Sequence, residues 1–308
     1  MLNQKRSKLM KNIPLPGLNK LFGLVFLALS AFTSVNQSVA QDYKLKTIVV
    51  DAGHGGKDGA THGEYSTEKA VALQVALKLG KAIEEKLPGV RVVYTRTEDV
   101  FVPLYERIGL ANKVNADLFI SIHCNDMPLR ASTVITGYKK GKGGSRIPIR
   151  QTTYRKSTST KGTETFVSGS GRLSEQDEVI KRENAAMLLE KDYEKNYEGL
   201  EDQNPENDII VSLMKKNNRV QSLKVAKFMQ DEYIRVGRVN RGVQEKSLAV
   251  LARAGMPAVL TEIGFISNPE EEEYMNSAEG QDEIVTCLVN AIKSYQNSVE
   301  TKPIQVQN

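Results

Sequence analysis

Histidine and cysteine are scarce in this chain of 308 residues, which holds only His54, His62 and His123, and Cys124 and Cys287. Two cysteines exclude the disulfide framework of a small secreted scaffold; they read as small buried residues, although an exported chain could pair them. Long hydrophobic runs are also missing. The longest in the leader, Leu21 to Phe32, falls well short of the roughly 20 residues that cross a bilayer. Acidic residues are absent from the first forty positions, where Lys5, Arg6, Lys8, Lys11 and Lys20 surround that run's approach. With Ser38-Val39-Ala40 behind it, this pattern predicts a signal peptide over residues 1–40, cleaved after Ala40, with Met10 as an alternative start and an uncleaved anchor as the competing reading. Five of the 42 basic residues lie in that leader, and the rest balance the 37 acidic ones. A neutral mature chain has no electrostatic footprint for nucleic acid. No stable membrane span is expected after cleavage.

Strand and helix patterns then alternate. Strands are expected at Thr47–Asp51, Arg91–Thr95, Leu118–His123 and Ala258–Glu262. Helices are expected from about Thr67 to Lys86, Leu104 to Asn115, Arg219 to Val236 and Asp282 to Gln296. Such alternation predicts one α/β domain over residues 41–298, with a mostly parallel central sheet flanked by helices on both faces. Residues 299–308 read as a disordered tail. One stretch departs from the alternation: residues 127–161 are rich in Gly, Ser and Thr and contain no acidic residue. They carry Arg130, Lys139, Lys140, Lys142, Arg146, Arg150, Arg155, Lys156 and Lys161. A mobile surface insertion that is merely solvated is expected there; the alternative is one that draws anionic polymer towards the site.

Two of the three histidines follow apolar strands, in Val50-Asp51-Ala52-Gly53-His54-Gly55-Gly56 and Ser121-Ile122-His123-Cys124-Asn125. In open α/β sheets, ligands bind beyond the carboxyl ends of the strands, so these imidazoles are placed to share one divalent metal. Glu68 is the third candidate ligand. Alternatively it serves only the dipole of its helix, with Ser66 or Thr67 as the cap. His62 is a rival ligand in the same loop. Two histidines and one carboxylate leave a fourth position open, the pattern of a catalytic zinc. Glu262 ends another apolar strand and suits a general base and acid beside such a metal; the alternative is an acceptor closing the Asn268-Pro269 turn.

These motifs, with Glu68-Lys69, Thr95-Arg96-Thr97, Glu106-Arg107, Gly162-Thr163-Glu164 and Glu262-Ile263-Gly264-Phe265-Ile266-Ser267-Asn268, give the chain its resemblance. It resembles the zinc-dependent N-acetylmuramoyl-L-alanine amidases of the amidase-3 family, including the division-associated AmiA, AmiB and AmiC kind, over nearly all of residues 46–296. The resemblance implies one zinc ion per chain on His54, Glu68 and His123, with Glu262 catalytic. It implies cleavage of the amide between N-acetylmuramic acid and L-alanine of peptidoglycan, in wall remodelling and daughter-cell separation. Glu106-Arg107 and Asn125 read as supports of the site. The alternatives are another zinc-dependent cell-wall peptidase and a non-catalytic wall-binding regulator.

Division-associated relatives carry a segment comparable to residues 182–207, including a helix that occludes the zinc until a partner displaces it. The resemblance therefore implies autoinhibition relieved by an envelope activator, with Glu183, Glu190 and Glu194 as unranked candidates for the blocking carboxylate. The competing reading is a helix packed elsewhere through Met187, Leu188 and Leu189. On the occluding reading, deletion of about Ala185–Asn204 raises basal hydrolysis. The expected location is exported, in the periplasm.

Overall fold

The structure, a computed structural model, describes residues 44–169, 171–173, 177–197 and 209–300. The expected signal peptide and almost all of the expected tail lie outside these residues. Thr47–Ala52 forms β1, Arg91–Tyr94 β2 and Leu118–Asn125 β3. Helices α1 (Glu68–Lys86) and α2 (Leu104–Lys113) make the crossovers between them. After β3 come β4 (Arg130–Lys140), β5 (Arg146–Arg155) and β6 (Thr163–Ser168). Then follow α3 (Glu178–Asn184), a 3-10 turn Ala185–Leu189, α4 (Tyr193–Asn196), α5 (Ile209–Arg235) and β7 (Asn240–Lys246). Strand β8 (Ala258–Phe265) and helices α6 (Pro269–Asn276) and α7 (Ala278–Val299) complete the chain.

Six strands form one sheet in the order β2-β1-β3-β8-β6-β7. Every neighbouring pair is parallel except β6 with β8. The central strands are buried on both faces, which is why β1, β3 and β8 read as continuous apolar runs rather than alternating ones. Alternation within them decides which layer each side chain joins. Ile48 and Val50 of β1, with Ile120 and Ile122 of β3, pack against α1, α5 and α7. Val49 and Phe119 face the other way, onto α2, α3 and residues 248–251. Burying each such side chain contributes about 1.5–3 kcal/mol. The expected α/β architecture, with helices on both faces of a mostly parallel sheet, is the observed one.

Within residues 127–161, expected as a loop-like insertion, the structure forms an antiparallel hairpin over 130–155. β4 and β5 pair from Arg130↔Arg155 to Lys140↔Arg146. Their Thr, Val, Ile and Tyr content suits a pleated ribbon, and Gly143 and Gly144 turn it with φ values of 71° and 82°. Surface exposure was expected and is found along both strands. Both cysteines are buried and unpaired. Among the described residues, no helix is long and apolar enough to cross a membrane.

Candidate metal centre

Parallel β1, β3 and β8 end on the same edge of the sheet, so His54, His123 and Glu262 emerge there together. Close approach is built into the sequence at Gly53: a Cβ there would stand 2.5 Å from His123 Nε2. His54 itself adopts φ 57°, a left-handed conformation that L side chains enter at a cost of roughly 1–2 kcal/mol. Two buried arginines hold the backbone in that shape. Arg107 donates to the carbonyls of Ala52 (2.7 Å) and His54 (2.7 Å) and to Asp51 Oδ1 (3.0 Å). Arg96 donates to the carbonyls of Ala52 (3.0 Å) and Gly53 (2.7 Å). Of the pair Glu106-Arg107, only the arginine reaches the site; Glu106 accepts from the exposed Tyr105 hydroxyl.

Glu68 opens α1 with its carboxylate buried, accepting from Cys124 N (3.0 Å) and from Thr61 Oγ1 (2.8 Å). The capping alternative fails locally. Thr67 makes no side-chain cap, and the Ser66 hydroxyl donates instead to Glu272, which also gathers the backbone N–H groups of Glu64, Tyr65 and Ser66. His62 is exposed and stands outside the cluster, so the rival ligand is set aside.

His54, Glu68, His123 and Glu183 are all buried, and one donor atom from each lies within 4.8 Å of the others. Each imidazole is oriented through its outer nitrogen. His54 Nδ1 is 2.8 Å from Asp58 Oδ2, and His123 Nε2 is 3.1 Å from Ser121 Oγ. That leaves His54 Nε2 and His123 Nδ1 aimed inward, the outer-partner arrangement of metal-binding histidines. The inward atoms are close but poorly matched to one another. Glu183 Oε2 lies 2.8 Å from His123 Nδ1 and 3.4 Å from His54 Nε2, yet neither it nor His54 Nε2 makes an aligned hydrogen bond. Buried polar atoms left unaligned around a common point are what a missing central cation predicts, since such atoms otherwise find partners. The donor set fits a divalent metal such as zinc.

The charged groups of the cluster act strongly on one another. Burial opposes charging His54, but the Glu68 carboxylate, the hydrogen bond to Asp58 and the nearby Glu183 carboxylate raise it well above the usual imidazole range. Burial likewise opposes charging His123, and Glu183 and Glu68 outweigh it, leaving that imidazole raised to about 9. Glu262 is fully buried on β8, in register with His123. Burial raises its carboxyl, Arg182 offsets part of that and Glu183 adds to it, leaving it raised to about 8. Its Oε1 accepts from Arg182 Nη2 at 3.1 Å, while Oε2 has no hydrogen-bond partner among the described residues.

The three candidate blocking carboxylates separate clearly. Glu183, on α3, is the one beside the histidines. Glu190 accepts from Leu104 N (2.6 Å) and the Tyr197 hydroxyl, so it caps α2. Glu194 is exposed on α4. Arg182, Asp58 and Ser121 were not singled out by sequence reasoning; the adjacency of Arg182 to a candidate acid was the available signal for the first. Asn184 fixes the same turn, donating to the Leu173 and Ser247 carbonyls and accepting from Ala249 N.

A buried two-histidine, two-glutamate cluster at the strand ends of an α/β sheet, with a further carboxyl beside it, defines a metal-dependent hydrolase type of site. A family model described as N-acetylmuramoyl-L-alanine amidase matches residues 48–294, and the chain belongs to that family. AmiC of Escherichia coli O6:H1 is 30% identical over 265 residues, covering 80% of this chain and 52% of that protein, so the chain spans about half of that relative. AmiA of Escherichia coli K12 is 27% identical, covering 89% of each chain. An N-acetylmuramoyl-L-alanine amidase from Clostridium difficile 630 superposes with a TM-score of 0.54 at 25% identity, covering 83% of this chain and 99% of that one.

Proposed function

We propose that this chain is an exported, zinc-dependent N-acetylmuramoyl-L-alanine amidase that acts on peptidoglycan in the periplasm and is held at a low basal activity by α3. Residues 1–40 serve as the signal peptide in this reading, and residues 41–298 as the catalytic domain. The observation that carries it is the convergence of His54, Glu68 and His123 in a chain of the amidase family. These three residues hold the metal, which supplies Lewis-acid activation of the scissile carbonyl and acidifies water. Asp58 and Ser121 fix the ring orientations, and Arg96 and Arg107 hold the loop that presents His54. Glu262 takes the proton from the attacking water and returns it to the leaving amino group of L-alanine. Its place on β8, in register with His123, puts that carboxylate beside the cluster where the proton is moved.

Two side chains of α3 suppress that chemistry in this reading. Glu183 stands beside His54 and His123, where its carboxylate would serve as a further ligand to a metal held there, and Arg182 engages the proton-transfer carboxylate Glu262. An envelope activator that lifts α3 removes both contacts together, a local event with a two-state element behind it. The deletion of Ala185–Asn204 suggested by the sequence leaves Glu183 in place, because the blocking residue precedes it. Glu183→Ala is the sharper variant and is expected to raise basal hydrolysis about tenfold or more, through a larger competent fraction. Unchanged hydrolysis in folded, zinc-loaded Glu183→Ala protein contradicts the blocking role.

Mass spectrometry of digested sacculi tests the activity. Intact stem peptides with free L-alanine amino ends are expected. Fragments cut within the stem would assign the site to a peptidase instead. Wall binding without any product from zinc-loaded wild type and from Glu183→Ala alike would leave the non-catalytic regulator.

A further inference from the structure

The chain that carries His123 on β3 runs on through Asp126 and Met127 into the β4–β5 hairpin. At ~3.4 Å per residue this ribbon extends on the order of 35 Å. A two-stranded hairpin by itself is marginally stable in water. This one nevertheless leaves Val134, Ile135, Tyr138, Ile147, Ile149 and Tyr154 between 43% and 66% exposed. Exposed apolar groups gathered on both sides of one short ribbon make it a candidate docking surface.

Cross-strand register assigns the sides. Ile135, Tyr138 and Tyr154 share one side with Lys140, Arg146 and Arg150, and the Arg146 guanidinium lies 4.8 Å from the centre of the Tyr138 ring. Val134, Ile147 and Ile149 share the other with Arg130, Lys139 and Arg155. Both sides therefore interleave cations with apolar groups. From Met127 to Gly162 there is no acidic residue, so the hairpin cannot neutralise itself. Its root is tied to the site: Lys156 Nζ donates to Asp126 Oδ2 (2.8 Å) and to the His62 carbonyl (3.4 Å).

We propose that the β4–β5 hairpin is a docking arm for the free carboxylates of peptidoglycan stem peptides, holding the polymer beside the metal centre. The assignment rests on the amidase reading, which supplies the polymer. Charge complementarity favours a carboxylate-bearing occupant, and exposed Tyr138 and Tyr154 offer flat amphipathic surfaces to sugar or peptide. A bilayer is disfavoured. A membrane-surface element segregates its apolar and basic sides, whereas both sides here are mixed. The tip, Lys139 to Arg146, has no large apolar residue to insert.

The test is co-sedimentation of full-chain, zinc-loaded Glu262→Gln protein with purified sacculi and with phosphatidylglycerol vesicles. Three hairpin states are compared: native, the charge reversal Lys140→Glu/Arg146→Glu/Arg150→Glu, and the charge-keeping Arg146→Lys/Arg150→Lys. Charge reversal is expected to weaken sacculus binding about tenfold or more, with loss in high salt and retention in the lysine variant. Sacculi whose stem carboxylates have been amidated chemically should show the same loss with the native hairpin, independent of any folding defect. Binding indifferent to both amidation and charge reversal overturns the proposal, as does capture by vesicles but not by sacculi. Products from the wild-type chain are read separately. Carboxylate-dependent binding with non-amidase products would overturn the amidase reading and leave the arm standing.

Discussion

β3 and β4 are consecutive strands separated by only a few residues, and they sit at opposite extremes of the molecule. All eight residues of β3 are buried, from Leu118 in the core to Asn125 at the site. β4 is exposed along almost its whole length and pairs with β5 alone. The first strand is specified by what surrounds it: packed helices on both faces and partners on both edges. The second is specified only by its own cross-strand pairs. Rigidity and chemistry follow the first, because ligand directions have to be held to fractions of an ångström. Reach and charge follow the second.

Substitutions that remove site chemistry should separate the two regions most sharply. His123→Ala and Glu262→Ala are each expected to lower hydrolysis by about a thousandfold or more. His123→Ala should also lose zinc, while Glu262→Ala keeps it, measured by metal analysis on the activity samples. Packing gives the next largest contrast. Ile120→Ala in β3 should cost about 2–5 kcal/mol in urea unfolding. Ile149→Ala in β5, 46% exposed, should fall within about 0.5 kcal/mol of wild type. Comparable losses at the two positions would show that the hairpin is packed in solution.

Smaller effects come from the groups that orient the site. Asp58→Asn weakens the hold on the outer nitrogen of His54 and should cost about 10–100-fold in zinc affinity, read by competition with a chelator. Asp51 supplies a pH signature that the acid-free hairpin cannot. Burial raises its carboxyl, but Arg107, Ser121 and Thr95 together leave it below its ordinary value of 3.8. A carboxyl with a depressed folded pKa stabilises fully above the unfolded value and loses that contribution as pH falls through the folded one. The Asp51 contribution to stability should therefore be lost as pH falls below about 3.8, and Asp51→Asn should be less stable at neutral pH with a shallower acid slope.

Much of this was legible because burial writes itself into sequence. The apolar runs ending in His54, His123 and Glu262 announced doubly covered strands, and parallel topology then put their ends together. β7 escaped notice: Asn-Arg-Gly-Val-Gln-Glu-Lys is an edge strand with little apolar content, and its partner β6 was visible only as the Thr163-Glu164 motif. The hairpin escaped because its Gly, Ser and Thr content suits a loop as well as a ribbon, and pairing depends on register that composition does not encode. Arg182, Asp58 and Ser121 act through orientation in space, which no spacing reveals. Glu183 stood among three candidates until the fold placed Glu190 at the start of α2 and left Glu194 in solvent.

Zinc content and sacculus digestion products, assayed on the same samples of wild type, His123→Ala and Glu262→Ala, decide whether His54, Glu68 and His123 hold a zinc ion with Glu262 as the proton-transfer group. Expected are about one zinc per chain and free L-alanine amino ends from wild type, no zinc and no products from His123→Ala, and zinc without products from Glu262→Ala. Folded wild-type protein that binds no zinc, or amidase products that persist in Glu262→Ala, would contradict that assignment.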